Sequence, residues 1–246
     1  MMRVTCLLAV ILMAGCQPAP AVPTLVVPTQ MPEPSATPFA LRTVTSIPAP
    51  SATPMLVPMA RSTSTATPAV RGCLEPPNDY TRVKVNGQVV NRRTSWLLEQ
   101  AQALYGGPGN ILSVIQGSYT PGLKESFGTH DAGGAADISI RNPANSNEVL
   151  WNEAPKMVAA MRQVGFAAWY RPAGLLVPGS GAHIHAIAIG DAELSPAARR
   201  QIDGPEGYLR GLDGIPPEYG GPHPDPHGGP VLCPWMLKLG LQDLRP

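Results

Sequence analysis

The sequence predicts an α+β domain, a small and largely antiparallel sheet with flanking helices, set behind a disordered linker. Three observations carry this. Apolar residues recur at helical spacing in two segments. They recur as short strand-like runs in four others, with no regular strand–helix–strand repeat joining them. The prolines, 30 among 246 residues, are distributed unevenly and mark off a separate N-terminal stretch.

The elements follow in chain order. Leu97, Leu98, Ala101, Leu104 and Tyr105 share one face of a helix over Ser95–Tyr105, and Gly106-Gly107-Pro108 stops it. Ile111–Ser118 reads as a strand, followed by a glycine-rich loop and a second strand over Ala135–Ile140. Pro155–Val164 forms a second helix with Met157, Val158, Met161 and Val164 inward and Gly165 at its C-terminal cap. Phe166–Tyr170 and His183–Ile189 are strands. Ser195-Pro196 pairs an N-cap with a proline at the first helical position, so a short helix starts there. From Gly204 onward the chain is rich in Gly and Pro. The run His223-Pro224-Asp225-Pro226-His227 has metal-ligand composition, but no predicted element aligns its side chains, and it is not read as a site.

Three regions result: 1–15, 16–72 and 73–246. The first has one charge, Arg3, and an apolar run from Val4 to Ala14, the pattern of a signal peptide. It is too short to span a bilayer, which takes about 20 residues. Leu12-Met13-Ala14-Gly15-Cys16 resembles a bacterial lipobox, which implies lipidation at Cys16, with Met13 where leucine is usual. The expected location is therefore the cell envelope, on a membrane-anchored lipoprotein facing the periplasm or the exterior. Residues 16–72 are dominated by Pro, Ser, Thr, Ala and Val, and the Ser-Ala-Thr-Pro motif at 35–38 recurs at 51–54. Such a segment does not bury enough surface to fold and extends at about 3.1 Å per residue where it is polyproline-like. It would hold a domain on the order of 100 Å from a membrane.

Formal net charge is +1, from 18 basic and 17 acidic residues, so composition offers no footprint for nucleic acid. The glycines at 133–134 lack the following Lys-Ser/Thr of a phosphate-binding loop. Of four cysteines, Cys73 and Cys233 lie in the domain, one near each end. In an exported chain that pair points to a disulfide.

Two segments carry the candidate chemistry, Thr129–Asp137 and Ala182–His185, and they hold three of the five histidines. On a strand, His183 and His185 point the same way, about 7 Å apart, with Ile184, Ala186 and Ala188 opposite. The glycines between His130 and Asp137 permit a tight path that brings those two together. Zinc accepts imidazole and carboxylate, and a catalytic zinc keeps three protein ligands with one position open. His130, Asp137 and one histidine of the strand supply that set.

His-x-x-Gly-x-Ala-x-Asp, here His130, Gly133, Ala135 and Asp137, followed by His183-x-His185, resembles the M15-type D-Ala-D-Ala carboxypeptidase and hedgehog-like zinc peptidase family. The resemblance spans roughly Trp96 to Gly190. It implies zinc on His130, Asp137 and His185, with His183 assisting proton transfer or stabilising the oxyanion. It implies a zinc-dependent peptidase acting on peptidoglycan peptides, as endopeptidase or carboxypeptidase. The chain departs from the pattern twice. Many members carry an acidic base three residues before the last histidine, and here that residue is Ala182. Proton transfer then falls to His183, Asp131 or Glu125, or the domain is a catalytically inactive zinc-containing wall-binding module; hedgehog shows that the fold group can be used without known proteolysis. Carboxypeptidases of the family also carry an arginine after a Gly-Tyr pair. Here Thr120 follows Gly117-Ser118-Tyr119, so Tyr119 and Arg171 are the candidate substrate-binding residues.

Overall fold

The computed structural model describes residues 72–246. The signal peptide, Cys16 and nearly all of the linker lie outside the described residues. Among the described residues no helix is long and apolar enough to cross a membrane.

The fold is mixed, with small antiparallel sheets and helices. It opens with a hairpin, β1 (Arg82–Val85) and β2 (Gln88–Asn91), joined by Asn86-Gly87. Both turn residues have positive φ, 49° and 79°, as a two-residue type I′ turn requires. Helix α1 (Arg92–Tyr105) follows at once. It begins three residues before the predicted Ser95 because Asn91 caps it, its side chain accepting from the Thr94 N–H at 2.9 Å. Leu97, Leu98 and Ala101 are fully buried and Gly106 ends the helix in the left-handed region.

Strand β3 is only Val114–Gln116, shorter than the predicted 111–118. Asn110 takes the preceding residues into a turn, its side chain accepting from the Leu112 N–H and its carbonyl from the Ser113 N–H. Strand β4 is Ala135–Ser139. An exposed hairpin, β5 (Arg141–Asn142) and β6 (Asn145–Val149), leads to helix α2 (Ala154–Val164). Strands β7 (Phe166–Arg171) and β8 (His183–Ala188), helix α3 (Pro196–Asp203) and the short α4 (Pro234–Lys238) complete the chain. Ser195 caps α3 as predicted, accepting from the Ala198 N–H at 3.0 Å.

The principal sheet runs β3-β4-β8-β7, antiparallel throughout. Its two faces divide the molecule. Ala136, Ile138, Ala168, Ile184 and Ala186 pack on α1 and α2 in the main core. Ala167, Trp169 and Ile187 join a second core with Ala198 and Ile202 of α3, Tyr208 and Trp235. Asp137, His183 and His185 share this second face, which is how a polar site comes to lie on an otherwise apolar surface.

Two long-range ties fasten the Gly- and Pro-rich tail. Cys73 and Cys233 form a disulfide across a sequence separation of 160, closing a loop worth roughly 4–5 kcal/mol in the chain-entropy description. Arg162, at the buried side of α2, reaches the Asp225 carboxylate at 2.7 Å, and the pair is almost wholly shielded from solvent. The same guanidinium donates to the carbonyls of Ala168, His227 and Gly229 and lies 5.0 Å over the Tyr208 ring. His223 pairs instead with Asp213. The 223–227 run is therefore a structural strap. Removing one partner from a buried ion pair leaves an uncompensated charge. Asp225→Ala is expected to lower unfolding free energy by about 3–5 kcal/mol, read by urea denaturation. An unchanged midpoint would contradict the role given to this pair.

Candidate metal centre

The register of β4 on β8 sets Asp137 directly across from His185. The neighbouring β7 sets Trp169 across from His185 and Arg171 across from His183. His130 arrives from a separate loop, a 3-10 turn over Thr129–Asp131. That loop is stapled on both sides. The Thr120 and Tyr119 N–H groups donate to the carbonyls of His130 and Ala132, at 2.8 and 3.0 Å, and the Gly133 N–H donates to Glu193 at 2.8 Å. Gly134 has φ +82°, and a Cβ there would meet the Leu194 side chain at 2.5 Å, so glycine is favoured where the loop enters β4.

Three donor atoms converge. His130 Nε2 lies 3.3 Å from Asp137 Oδ1, His185 Nδ1 lies 2.8 Å from the same oxygen, and the two imidazole nitrogens are 3.3 Å apart. Ligands on a tetrahedral metal with bonds of about 2.0–2.1 Å sit about 3.3 Å from one another. His130, Asp137 and His185 thus form a group that could hold a metal ion.

The outer hydrogen bonds decide which nitrogens are free. A carbonyl oxygen only accepts, so His130 Nδ1–H donates to Gly117 at 2.8 Å and Nε2 presents its lone pair to the centre. His185 Nε2–H donates to Gln201 Oε1 at 3.0 Å, leaving Nδ1 for the centre. Such outer partners commonly fix metal-binding histidines. Gly117 itself is required, because a Cβ there would lie 2.2 Å from the Val89 carbonyl oxygen. Trp169 backs the site, its ring nearly parallel to that of His185 at 6.1 Å.

The charges are tightly coupled. Burial opposes ionisation of Asp137, but His130 and His185 outweigh it and hold the carboxyl well below the usual carboxylate range. Burial disfavours a proton on His130, yet the Asp137 charge reverses this and raises its pKa. Burial dominates at His185 and pushes it down to about 4, against the pull of Asp137.

His183 stands at the rim. Its Nδ1–H donates to the Gly181 carbonyl at 2.8 Å, and its Nε2 lies 3.8 Å from Asp137 Oδ2. A cavity of about 20 Å³ touches the cluster, and His183, Glu125, Leu176 and Asp137 join it to an outer cavity of about 410 Å³. Of the alternatives for proton transfer, Glu125 lines both cavities, whereas Asp131 is exposed and lines neither. Ala182 packs against the main core, on the helix side of the sheet.

The two predicted substrate-binding residues fall differently. Arg171 lines the small cavity but is 3% exposed, and its Nη2 donates to the Asp213 carbonyl at 2.6 Å. Burial lowers its pKa to about 10. Tyr119 lines neither cavity. It has φ +61°, its hydroxyl donates to the Glu193 carboxylate, and Arg82 lies 4.0 Å over its ring. It braces the His130 loop from outside, because the left-handed backbone at this residue sets its ring against β1 and Glu193.

No family model, curated protein or solved structure matches the chain.

Gln201 was not singled out from sequence, although it sits one turn into the predicted helix after Ser195-Pro196. As the group that orients His185, it makes a direct test of the centre. Gln201→Leu is expected to weaken binding of a divalent transition metal by about 10–100-fold, measured by competition with a chromophoric chelator. Unchanged affinity would remove the residue from the centre.

Proposed function

We propose that the domain is a zinc-dependent peptidase acting on peptidoglycan peptides. The observation that carries this is the convergence of His130 Nε2, Asp137 Oδ1 and His185 Nδ1 beside a cavity open to a substrate. Two imidazoles and one carboxylate make a donor set suited to zinc, and three protein ligands leave a coordination position free. Bound zinc supplies Lewis acidity at a scissile carbonyl and makes water a nucleophile near neutral pH.

The chain's own groups supply the rest. His130 and His185 are held as ligands by Gly117 and Gln201. His183 directs Nε2 at the space beside Asp137, where it accepts a proton and returns it to a leaving amine. Glu125 faces the same space and shares that work in place of the missing acid at Ala182. The disulfide agrees with an oxidising compartment, and the expected lipid anchor at Cys16 would tether the domain within reach of the wall.

The test is incubation of the purified chain with peptidoglycan, with fragments read by mass spectrometry. Released peptides are expected, and His183→Ala is expected to lose about 10²–10⁴-fold in rate while keeping its metal content. Full activity in that variant would exclude His183. A second reading, a zinc-containing module that binds the wall without turnover, is favoured by Ala182. It predicts that the chain co-sediments with peptidoglycan and releases nothing.

A further inference from the structure

The proposed activity leaves open where on a peptide the cut falls, and the space around the centre bears on this. The small cavity at the metal cluster adjoins cavities on two sides. Toward β3 and the 176–181 segment it meets the 410 Å³ cavity through Glu125, Leu176 and His183. On the other side it meets a cavity of about 100 Å³ through Phe127 and Gln201. The Phe127 and Tyr219 rings, 4.1 Å apart, form one wall of this second space.

Charge on the two flanks is one-sided. Among the described residues, no Lys or Arg lines the 410 Å³ cavity, which carries Glu125 beside Asp137. The 100 Å³ cavity holds Glu206, Glu218 and Arg200, and Arg200 is already paired with Glu206. The remaining guanidinium, Arg171, lines the small central cavity but neither flank; it is buried and its Nη2 is held by the Asp213 carbonyl. An enzyme that removes a terminal residue has to neutralise the terminal carboxylate next to the cut bond. Neither flank offers an uncommitted cation for that purpose, and both offer carboxylates that repel it.

We infer that a peptide lies across the metal centre with chain in both flanking cavities, so that the bond cut is internal, and that the flanking segments are neutral or cationic. The inference rests on the hydrolase reading and decides between its two modes. Peptides bearing free amines, or cross-linked through them, suit the carboxylates at Glu125 and Glu218. Peptides ending in a free carboxylate near the cut do not.

The experiment compares one peptidoglycan stem peptide in two forms, terminal carboxylate and terminal carboxamide, with the full chain. Metal-loaded chain is expected to cut the carboxamide form about tenfold faster, at an internal bond. Metal-free chain is expected to bind the carboxamide form about tenfold more tightly by titration calorimetry, and Glu218→Gln to reduce that preference. Release of only the last residue, from the carboxylate form, overturns the inference and leaves the hydrolase reading standing. Equal or tighter binding of the carboxylate form overturns it as well. Cleavage of neither form by folded, metal-loaded chain overturns the hydrolase reading and the inference with it.

Discussion

The pairing register of β4 on β8 is the constraint on which the site depends. Asp137 faces His185 and Ser139 faces His183, while β7 presents Trp169 and Arg171 to the same two histidines. Side chains alternate across a strand, so a slip of one residue would carry Asp137 into the helix-side core and bring Ile138 to the face of the histidines. The apolar partners prevent that slip. Ala136, Ile138, Ile184 and Ala186 are all fully buried against α1 and α2, and none tolerates exchange with a carboxylate or imidazole. The main core therefore fixes the geometry of a polar cluster on the opposite face of the same sheet.

That cluster is costly. Taking a carboxylate and two imidazoles out of water costs several kcal/mol per charge unless partners are supplied. Here the outer ring nitrogen of His130 and of His185 each has an acceptor, in Gly117 and Gln201, and both come from elements with their own reasons to be rigid. Gly117 is pressed against the Val89 carbonyl, and Gln201 sits on a capped helix that packs into the second core. The tail contributes indirectly. Tyr208 and Trp235 cover the second face beside Trp169, and the Cys73–Cys233 disulfide and the Arg162–Asp225 pair keep them there.

Much of this was legible in the sequence, for identifiable reasons. Helices α1 and α2 and strands β4, β7 and β8 emerge from periodicity because each buries a regular stripe. The Ser195-Pro196 start of α3 emerges from capping chemistry. His130, Asp137 and one histidine of β8 could be grouped because spacing and alternation constrain them, and the choice of His185 over His183 came from the family resemblance. The β1–β2 hairpin carried a legible signal in Asn86-Gly87 that periodicity over such short strands did not amplify. Gln201 and Asp225 were not legible: each is a polar residue whose partner lies 16 and 63 positions away, and nothing local distinguishes such a residue from one facing water. Tyr119 shows the converse difficulty. An aromatic residue beside a motif reads as a cleft wall, but its left-handed backbone and its bond to Glu193 place it behind the loop.

His130 Nε2, Asp137 Oδ1 and His185 Nδ1 are placed so that they could meet at one ion. X-ray absorption spectroscopy on the chain loaded with one equivalent of zinc tests this directly. The account predicts a first shell of nitrogen and oxygen at about 2.0–2.1 Å, with multiple-scattering features of two imidazoles, reduced to one in His185→Ala. A sulfur-containing shell, or a spectrum unchanged by that substitution, would contradict it.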